Sequence, residues 1–371
     1  MKVLLSLTDQ SFKATKSIGI FNVSMGLARG LMQCREVEEL HLLCNEECAD
    51  AFQDAPPHVV LHELDRPVPR RFGRVWWDQV GVSQAIRRLC PDWAILPKGF
   101  PPFFPRSGKT RLACYVHDVN WEYYEKLPHH AGEASEVGEA GNTKASPFPR
   151  HELLYFRTLG LRALRVADLV LTSTLFNRER FLAHVPQARI AVVGIGFDDA
   201  PAQPEKREGR DVLFYASRFP HKLTRTGVQR LESWLRQRED GADIRIHVIG
   251  SLPPGQVLPD SRWILHGRLP QADLQQLMEE CCRCSVYFSD YEGYGMPPVE
   301  SLRAGIPCVA SHLPPIAEHI PEAYLFDNGQ EVSFLRTMNR AYDATEPLVC
   351  PPFPTWQEVA GRCVSAMSAA F

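Results

Sequence analysis

Residues 289–311 read SDYEGYGMPPVESLRAGIPCVAS, and the predicted fold class follows from the order of features in this segment. An apolar run that predicts a strand ends at Ser289, a glycine-rich turn follows, and Pro297-Pro298 begin a helix, where proline suits the first turn. Backbone N–H groups of such a turn bind anions and hydroxyls beside the helix N-terminus. The segment therefore predicts a strand–turn–helix unit that binds a polar ligand.

Two carboxylates lie in this unit, eight residues apart. Glu292 lies in the turn, and Glu300 is expected in the first turn of the helix. Carboxylates accept hydrogen bonds from the adjacent hydroxyls of a ribose or a hexose, so the pair indicates a sugar or nucleoside ligand. Stabilisation of a helix N-terminus would explain Glu300 alone, and the prediction therefore depends on the whole segment.

Short apolar runs alternate with helix-length amphipathic segments along the whole chain, which is typical of parallel sheets covered by helices. The predicted strands are Val3–Leu7, Leu40–Cys44, Val59–Leu61, Trp93–Leu96, Leu112–His117, Val166–Thr172, Ile190–Val193, Val212–Ala216, Ile244–Ile249, Trp263–His266, Cys284–Ser289 and Pro307–Ala310. The polar segment 199–210 predicts a linker between domains at 1–198 and 211–350. A final helix within 351–371 is expected to pack back toward the N-terminal domain.

Composition and charge restrict the class of protein. Of the 371 residues, 41 are Lys or Arg and 44 are Asp or Glu, and this net charge of −3 argues against a general nucleic-acid-binding protein. No apolar run approaches the ~18 residues that span a bilayer. The 11 cysteines are odd in number and scattered, as expected of reduced thiols. We therefore expect a cytoplasmic protein, with peripheral contact to the inner face of the membrane.

Cationic and imidazole side chains follow two other predicted strands. Arg218 and Lys222 follow the first strand of the second half, where a guanidinium fork and an ammonium suit a diphosphate. His117 follows a strand of the first half, beside Asp118, which is expected to orient it toward a substrate. Each of these side chains alone would be an ordinary surface or structural residue, and their common position after strands makes them candidates.

The run EGYGMPPVES…AGIPCVAS, with its E-x7-E spacing, strongly resembles the retaining glycosyltransferases of the GT-B fold, the group-4 family of glycosyl transferases group 1. The resemblance covers most of the C-terminal half and, more loosely, the N-terminal half. It implies an α/β fold of two Rossmann-like, doubly wound domains that face each other across a cleft. It also implies catalytic roles for Glu292, Arg218, Lys222 and His117, and donor-binding roles for Glu300, Gly293, Tyr294, Gly295, Met296 and Gly19.

The resemblance further implies a reaction. A sugar would pass, with retention, from a nucleotide diphosphate sugar to a hydroxyl of a glycan or lipid-linked acceptor. No metal or cofactor is expected, because no Asp-x-Asp motif follows a strand and protein cations would stabilise the diphosphate. Similarity of Trp77-Asp78-Gln79 to bacterial surface-polysaccharide enzymes favours a mannosyl- or rhamnosyltransferase with a GDP-mannose-type donor in polysaccharide or lipopolysaccharide synthesis, with a UDP sugar as the alternative.

Two other functions remain open on the sequence alone, a nucleotide-sugar 2-epimerase of the same fold and a catalytically inactive sugar-nucleotide-binding scaffold. Arg70, Arg71 and Arg74 lie in the basic and aromatic segment RPVPRRFGRVWW, at 66–77. They are expected to contact a lipid-linked acceptor or the membrane surface, and a solvated loop with core tryptophans is the alternative. Residues 129–150 are rich in Gly, Ala, Ser and Glu and predict a long surface loop.

Overall fold

A computed structural model describes residues 1–8, 18–63, 76–103, 108–127, 146–198, 209–346 and 348–370. The strands are β1 (Lys2–Leu7), β2 (Glu39–Cys44), β3 (Val59–Glu63), β4 (Trp93–Leu96), β5 (Arg111–Tyr115), β6 (Leu169–Thr172), β7 (Ile190–Val192), β8 (Asp211–Ala216), β9 (Ile246–Gly250), β10 (Trp263–Gly267), β11 (Cys282–Tyr287), β12 (Cys308–Ser311) and β13 (Leu325–Phe326). The α-helices are α1 (Ile18–Leu31), α2 (Glu46–Asp50), α3 (Val82–Leu89), α4 (Trp121–Glu125), α5 (Arg150–Val166), α6 (Leu175–His184), α7 (Thr224–Gln237), α8 (Gln271–Cys281), α9 (Met296–Arg303), α10 (Pro314–Ala317), α11 (Glu331–Asp343) and α12 (Trp356–Ala369). A π-helical turn, Trp77–Gly81, precedes α3, and 3₁₀ turns form at Pro220–Lys222 and Glu322–Tyr324.

The chain divides into two compact units, which we describe separately. Unit 1 comprises Met1–Val119, Leu154–Asp199 and Phe353–Phe371, and unit 2 comprises Asn120–Leu153 and Ala200–Pro352. The arginines at 70, 71 and 74, most of the predicted loop at 129–150 and most of the predicted linker at 199–210 lie outside the described residues.

Each unit is built on one parallel sheet. Among the described residues, the sheet of unit 1 has seven strands in the order β3-β2-β1-β4-β5-β6-β7, and that of unit 2 has six in the order β10-β9-β8-β11-β12-β13. In both units the chain starts in the middle of the sheet, builds outward on one side, and then crosses to the other. This is the doubly wound Rossmann order, so the predicted α/β fold of two Rossmann-like domains is confirmed.

This topology determines where a ligand can bind in unit 2. The strand order reverses between the adjacent strands β8 and β11. Doubly wound sheets generally bind ligands in the crevice outside the carboxyl ends of the strands at such a position. The two loops at this position are 217–223, after β8, and 288–295, after β11.

The strands at this position are buried on both faces, which explains their continuous apolar runs. All six residues of β8 are buried. Phe214 packs in the core of unit 2 with Trp234 of α7, Phe288, and Phe334 of α11. This rigid support fixes the ends of β8 and β11, and thereby the bases of the two loops.

The segment Asn120–Leu153 groups with unit 2, although the sequence places it within the predicted domain 1–198. Aromatic contacts account for this. Tyr124 lies edge-on to His221, with ring centroids 5.6 Å apart, and Phe148 stacks on Phe219 at 6.0 Å. The C-terminal helix α12 groups with unit 1, where Trp356 lies so close to α1 that Gly26 has no room for a side chain.

Two predicted strand ends differ from the structure. The strand predicted to reach Ser289 ends at Tyr287, because the N–H of Ser289 is donated to the side-chain Oγ of Ser311, at 2.9 Å, instead of to a backbone carbonyl of a neighbouring strand. The strand predicted to reach His117 ends at Tyr115. Both predicted ends therefore lie in the loops that follow the strands, where side chains are free to face a ligand.

Candidate functional site

The two loops at the crevice of unit 2 are bound to each other. The carbonyl of His221, in the 3₁₀ turn after β8, accepts the N–H of Asp290 at 2.6 Å and the hydroxyl of Ser289 at 3.2 Å. The amide of Asn328 donates to the carbonyl of Ser289 at 2.7 Å. These bonds hold the side chains of the two loops in a defined relative position.

Lys222, Tyr287 and Glu292 form a triangle of hydrogen bonds between these loops. Nζ of Lys222 donates to Oε1 of Glu292 and to the Tyr287 hydroxyl, both at 2.5 Å. The Tyr287 hydroxyl donates to the same Oε1 at 2.6 Å. The side chains of Lys222 and Glu292 are only 21% and 11% exposed, so this ion pair is largely shielded from water.

Glu292 is ionised despite its burial. Burial by itself would raise the pKa of this carboxyl, but the charge of Lys222 and the bonds from Lys222 and Tyr287 hold the pKa below its ordinary value. Both bonds go to Oε1, and no described residue donates a hydrogen bond to Oε2. Oε2 is therefore the acceptor that Glu292 can offer to a ligand hydroxyl.

His221 is neutral and anchored. Burial, and then the adjacent charge of Lys222, lower the pKa of His221 to about 3. Its Nδ1 lies 2.5 Å from the hydroxyl of Tyr124, which can donate to it. Leu223, two residues after His221, has a φ of +46° at the point where α7 begins. This is a strained conformation for a residue with a branched side chain.

The turn between Glu292 and α9 requires glycine. Gly295 has a φ of +90°, and a Cβ there would lie 2.9 Å from Cγ1 of Ile316. Tyr294 stacks on His319 with ring centroids 4.2 Å apart, and its carbonyl accepts Nε2–H of His319 at 2.9 Å. Met296 is the first residue of α9, and because Pro297 and Pro298 carry no N–H, Met296 supplies the N–H group of the first three helix positions.

Glu300 is the fifth residue of α9, just beyond the first turn in which the sequence analysis places it, because the helix begins ahead of the two prolines. Burial raises its pKa to about 7, against the opposing charge of Arg303. No described residue donates a hydrogen bond to the carboxylate. A partner that donates hydroxyls would relieve this unfavourable burial.

Arg218 is an exposed cation in the loop after β8. Its guanidinium lies 5.5 Å from the centroid of the Phe219 ring, and no described residue forms an ion pair with it. It follows β8 in the same loop as Lys222. The loop therefore offers one cation that is already paired and one that is free to bind an anion.

The two remaining candidates belong to unit 1. His117 donates from Nε2 to the carbonyl of Pro97 at 2.7 Å, and burial lowers its pKa to about 4, so the ring is neutral. The Pro97 carbonyl thus orients the ring. Gly19, expected in a loop, is the second residue of α1.

Of the predicted residues, the structure brings Lys222 and Glu292 into contact, and it adds residues that sequence reasoning missed. Tyr287, His221 and Tyr124 all contact the predicted site, and each looks like an ordinary core residue in the sequence. Among the described residues, no group of three or more His, Cys, Asp or Glu side chains is arranged to hold a metal ion. In the same described part of the chain, no helix is long and apolar enough to span a membrane.

Comparison with known proteins connects this site to a family. Residues 197–347, which include every candidate of unit 2, match the family model of glycosyl transferases group 1. No curated protein matches the sequence.

Solved structures match the fold over the whole chain. Anabaena HepE, in complex with UDP and glucose, has a TM-score of 0.59 at 17% identity, over 100% of this chain and 94% of that chain. The lipopolysaccharide outer core galactosyltransferase WaaB has a TM-score of 0.59 at 14% identity, over 100% of both chains. An E. coli trehalose-6-phosphate structure bound with UDP-2-fluoro glucose has a TM-score of 0.59 at 12% identity, over 100% of this chain and 95% of that chain. The fold is thus that of GT-B proteins.

Proposed function

From the match of residues 197–347 to the group 1 glycosyl transferases, we propose that this protein is a glycosyltransferase that uses a nucleotide diphosphate sugar. The observation that carries the proposal is the largely buried Lys222–Glu292 pair at the strand-order reversal of unit 2, with the exposed Arg218 in the same loop as Lys222. A cation pair suits a diphosphate, and the open Oε2 of Glu292 suits a sugar hydroxyl.

In the proposed reaction, negative charge grows on the leaving diphosphate as the bond to the anomeric carbon breaks. Lys222, Arg218 and the backbone N–H groups of the turn stabilise this charge. Glu300 accepts the hydroxyls of the ribose, and His117 interacts with the donor sugar as a neutral imidazole. Protein cations serve here in place of a metal ion, so we propose that transfer requires none.

We further propose retention of the anomeric configuration. Oε1 of Glu292 already accepts two hydrogen bonds, Oε2 is assigned to a sugar hydroxyl, and the lowered pKa makes this carboxylate a weak nucleophile. A displacement in which the acceptor attacks from the face that the diphosphate leaves fits this carboxylate better than a covalent intermediate.

The donor and acceptor classes rest on the sequence and on the neighbours. The sequence favours a GDP-mannose-type donor, whereas two structural neighbours hold UDP or a UDP sugar, so both donor types are candidates. The WaaB neighbour is a lipopolysaccharide outer core enzyme, which supports a glycan or lipid-linked acceptor in bacterial polysaccharide synthesis. Contact of Arg70, Arg71 and Arg74 with such an acceptor or with the inner membrane face is part of the proposal.

A metal-free thermal-shift panel of GDP, UDP, ADP and their sugar derivatives tests the proposal. A selective rise in Tm with one nucleotide supports donor binding and identifies the base. Incubation with that sugar nucleotide then separates three functions: slow release of free sugar indicates a transferase, an epimer indicates a 2-epimerase, and no reaction indicates an inactive scaffold. The absence of any shift would contradict donor binding.

Replacing Glu300 by glutamine is expected to stabilise the protein at pH 8. The pKa of Glu300 in the folded protein, about 7, exceeds the ordinary value of 4.5. The free energy of unfolding therefore falls as the pH rises from 4.5 through 7, and the full penalty of ionising this buried carboxyl is present above pH 7. The amide removes the penalty, which should raise the free energy of unfolding at pH 8 by roughly 1–3 kcal/mol in denaturant titrations. The gain should disappear near pH 4.

The same variant should bind the nucleotide about 10-fold more weakly at pH 8, because an amide accepts hydrogen bonds less strongly than a carboxylate. Glu300→Ala, which retains no acceptor, should weaken binding further. Wild-type affinity should rise between pH 6 and 8 as Glu300 ionises, and calorimetry on both variants should show a flatter profile. Glu239→Gln, at an exposed position of unit 2, is the charge-matched control. An unchanged pH profile in Glu300→Gln would contradict the assignment.

Arg218→Ala is expected to lower kcat by roughly 10- to 100-fold with little change in stability. The side chain is exposed and lacks an ion pair among the described residues, so its removal leaves no buried charge. Its contribution should appear mainly as charge develops on the diphosphate, and steady-state kinetics should therefore show a larger effect on kcat than on KM. Arg218→Lys should recover part of the turnover, and full activity in Arg218→Ala would exclude the role.

A further inference from the structure

Lys222 has three N–H donors and gives two of them to Glu292 and Tyr287, so a diphosphate that accepts more than one hydrogen bond from the lysine competes with these two residues. If Lys222 turns toward an anion, as the proposed function requires, Glu292 loses part of its only ion pair among the described residues. A buried carboxylate in that position needs another donor to stay ionised and in place.

Tyr287 is that donor in the described structure. Its hydroxyl lies 2.6 Å from Oε1 of Glu292 and does not depend on Lys222 for this bond. The side chain is 3% exposed, and its ring packs edge-on against Tyr215 with centroids 6.0 Å apart. The position of the hydroxyl is therefore set by β11 and β8, and it stays fixed when the lysine moves.

We propose, resting on the proposed function, that Tyr287 is a positioning residue that holds Glu292 oriented while Lys222 engages the donor diphosphate. The lysine alternates between the carboxylate and the phosphate oxygens, and the phenol keeps its bond to the carboxylate in both situations. Tyr287 thus acts through Glu292 and does not itself contact the donor.

The groups that face Glu292 determine the direction in which its pKa changes when the bond from Tyr287 is lost. These are Lys222 and His221 from the loop after β8, and Tyr287 from β11. His221 is neutral, because its pKa is about 3. Burial and the nearby Glu292 charge raise the pKa of Tyr287 well above its ordinary value, so the phenol stays protonated and donates at every working pH. Loss of this bond should raise the pKa of Glu292, and most strongly when Lys222 is occupied.

Tyr287→Phe tests this, with Tyr342→Phe as the matched control. Tyr342 is also a buried tyrosine of unit 2, and its hydroxyl donates to the carbonyl of Arg210 at 2.7 Å, outside the site. We expect kcat in Tyr287→Phe to fall by roughly 10- to 100-fold, the effect of one charge-assisted hydrogen bond. KM for the donor should change little, and the acid limb of the kcat profile should move to higher pH. A structural role would lower activity equally at all pH values.

A second measurement does not require turnover. The carboxylate of Glu292 is titrated by ¹³C NMR with and without inorganic pyrophosphate, which occupies Lys222 in place of the donor. We expect pyrophosphate to raise the titration midpoint of Glu292 more in Tyr287→Phe than in the wild type or in Tyr342→Phe. Equal increases in the three proteins, or an unmoved acid limb in the kinetics, would overturn the inference.

The two proposals fail in different ways. If pyrophosphate, UDP and GDP all leave the wild-type protein unchanged in Tm and in the NMR titration, both the proposed function and this inference are wrong. If the wild type binds and transfers while Tyr287→Phe matches it in both measurements, only the inference is wrong.

Discussion

Glu292→Gln is expected to lower kcat by about 100-fold or more while the fold is retained. Glutamine keeps the shape of the side chain but removes the charge that Lys222 and Tyr287 surround. The bond from Tyr287 becomes a neutral one, and the bond from Lys222 keeps only the charge of the ammonium. With the amide oxygen facing these two donors, an NH₂ group replaces the open oxygen and cannot accept from a sugar hydroxyl. Steady-state kinetics with the donor identified by the thermal-shift panel measure the loss.

Glu239→Gln makes the same change of charge at an exposed position of unit 2 and should keep full activity. Circular dichroism and a Tm close to wild type would show that the loss in Glu292→Gln arises in the site. A Glu292→Gln protein that turns over within a few-fold of wild type would remove Glu292 from the proposed mechanism.

Lys222→Met is expected to weaken the binding of a nucleotide diphosphate by roughly 10- to 100-fold and also to lower kcat. The lysine is the main charge that holds the pKa of Glu292 down, and burial alone would raise it. Without Lys222, Glu292 should therefore take up a proton at higher pH, and the remaining activity should be lost earlier as the pH falls. Calorimetry with UDP or GDP and a kcat–pH profile measure the two effects, with Lys126→Met as the exposed control.

The double variant Lys222→Met/Glu292→Gln separates stability from function. Removing one partner of a largely buried ion pair leaves an uncompensated charge, whereas removing both does not. We expect the double variant to be less destabilised than the sum of the single variants by roughly 1–3 kcal/mol, measured as free energies of unfolding. It should nevertheless be inactive. Additive destabilisation would mean that the two side chains do not interact in solution.

Local chemistry explains why much of the site could be predicted from the sequence. The glycine turn, the two prolines and the carboxylates Glu292 and Glu300 lie within one strand–turn–helix unit. The requirement for glycine at 295 and the position of proline in a first helical turn depend on backbone geometry over a few residues. The spacing of apolar residues likewise predicts most strands to within a few residues.

The triangle around Glu292 could not be predicted in this way. Lys222 and Glu292 are 70 residues apart in the sequence, and only the pairing of β8 with β11 brings their loops together. Tyr287 looks like one more aromatic residue in an apolar strand, because its polar contact depends on side chains from another loop. Tyr124 comes from the N-terminal half of the sequence and still contacts His221 in unit 2.

The sequence by itself therefore determined the α/β class, the two similar halves and the strand–turn–helix unit that carries the two carboxylates, because apolar periodicity and turn chemistry act over neighbouring residues. Only the tertiary structure decided which cation faces Glu292, that Tyr287 joins them, and that Glu300 is the carboxylate with a raised pKa. Burial and Coulomb interactions depend on distances in space, and these are set by the order of strands in the folded sheet.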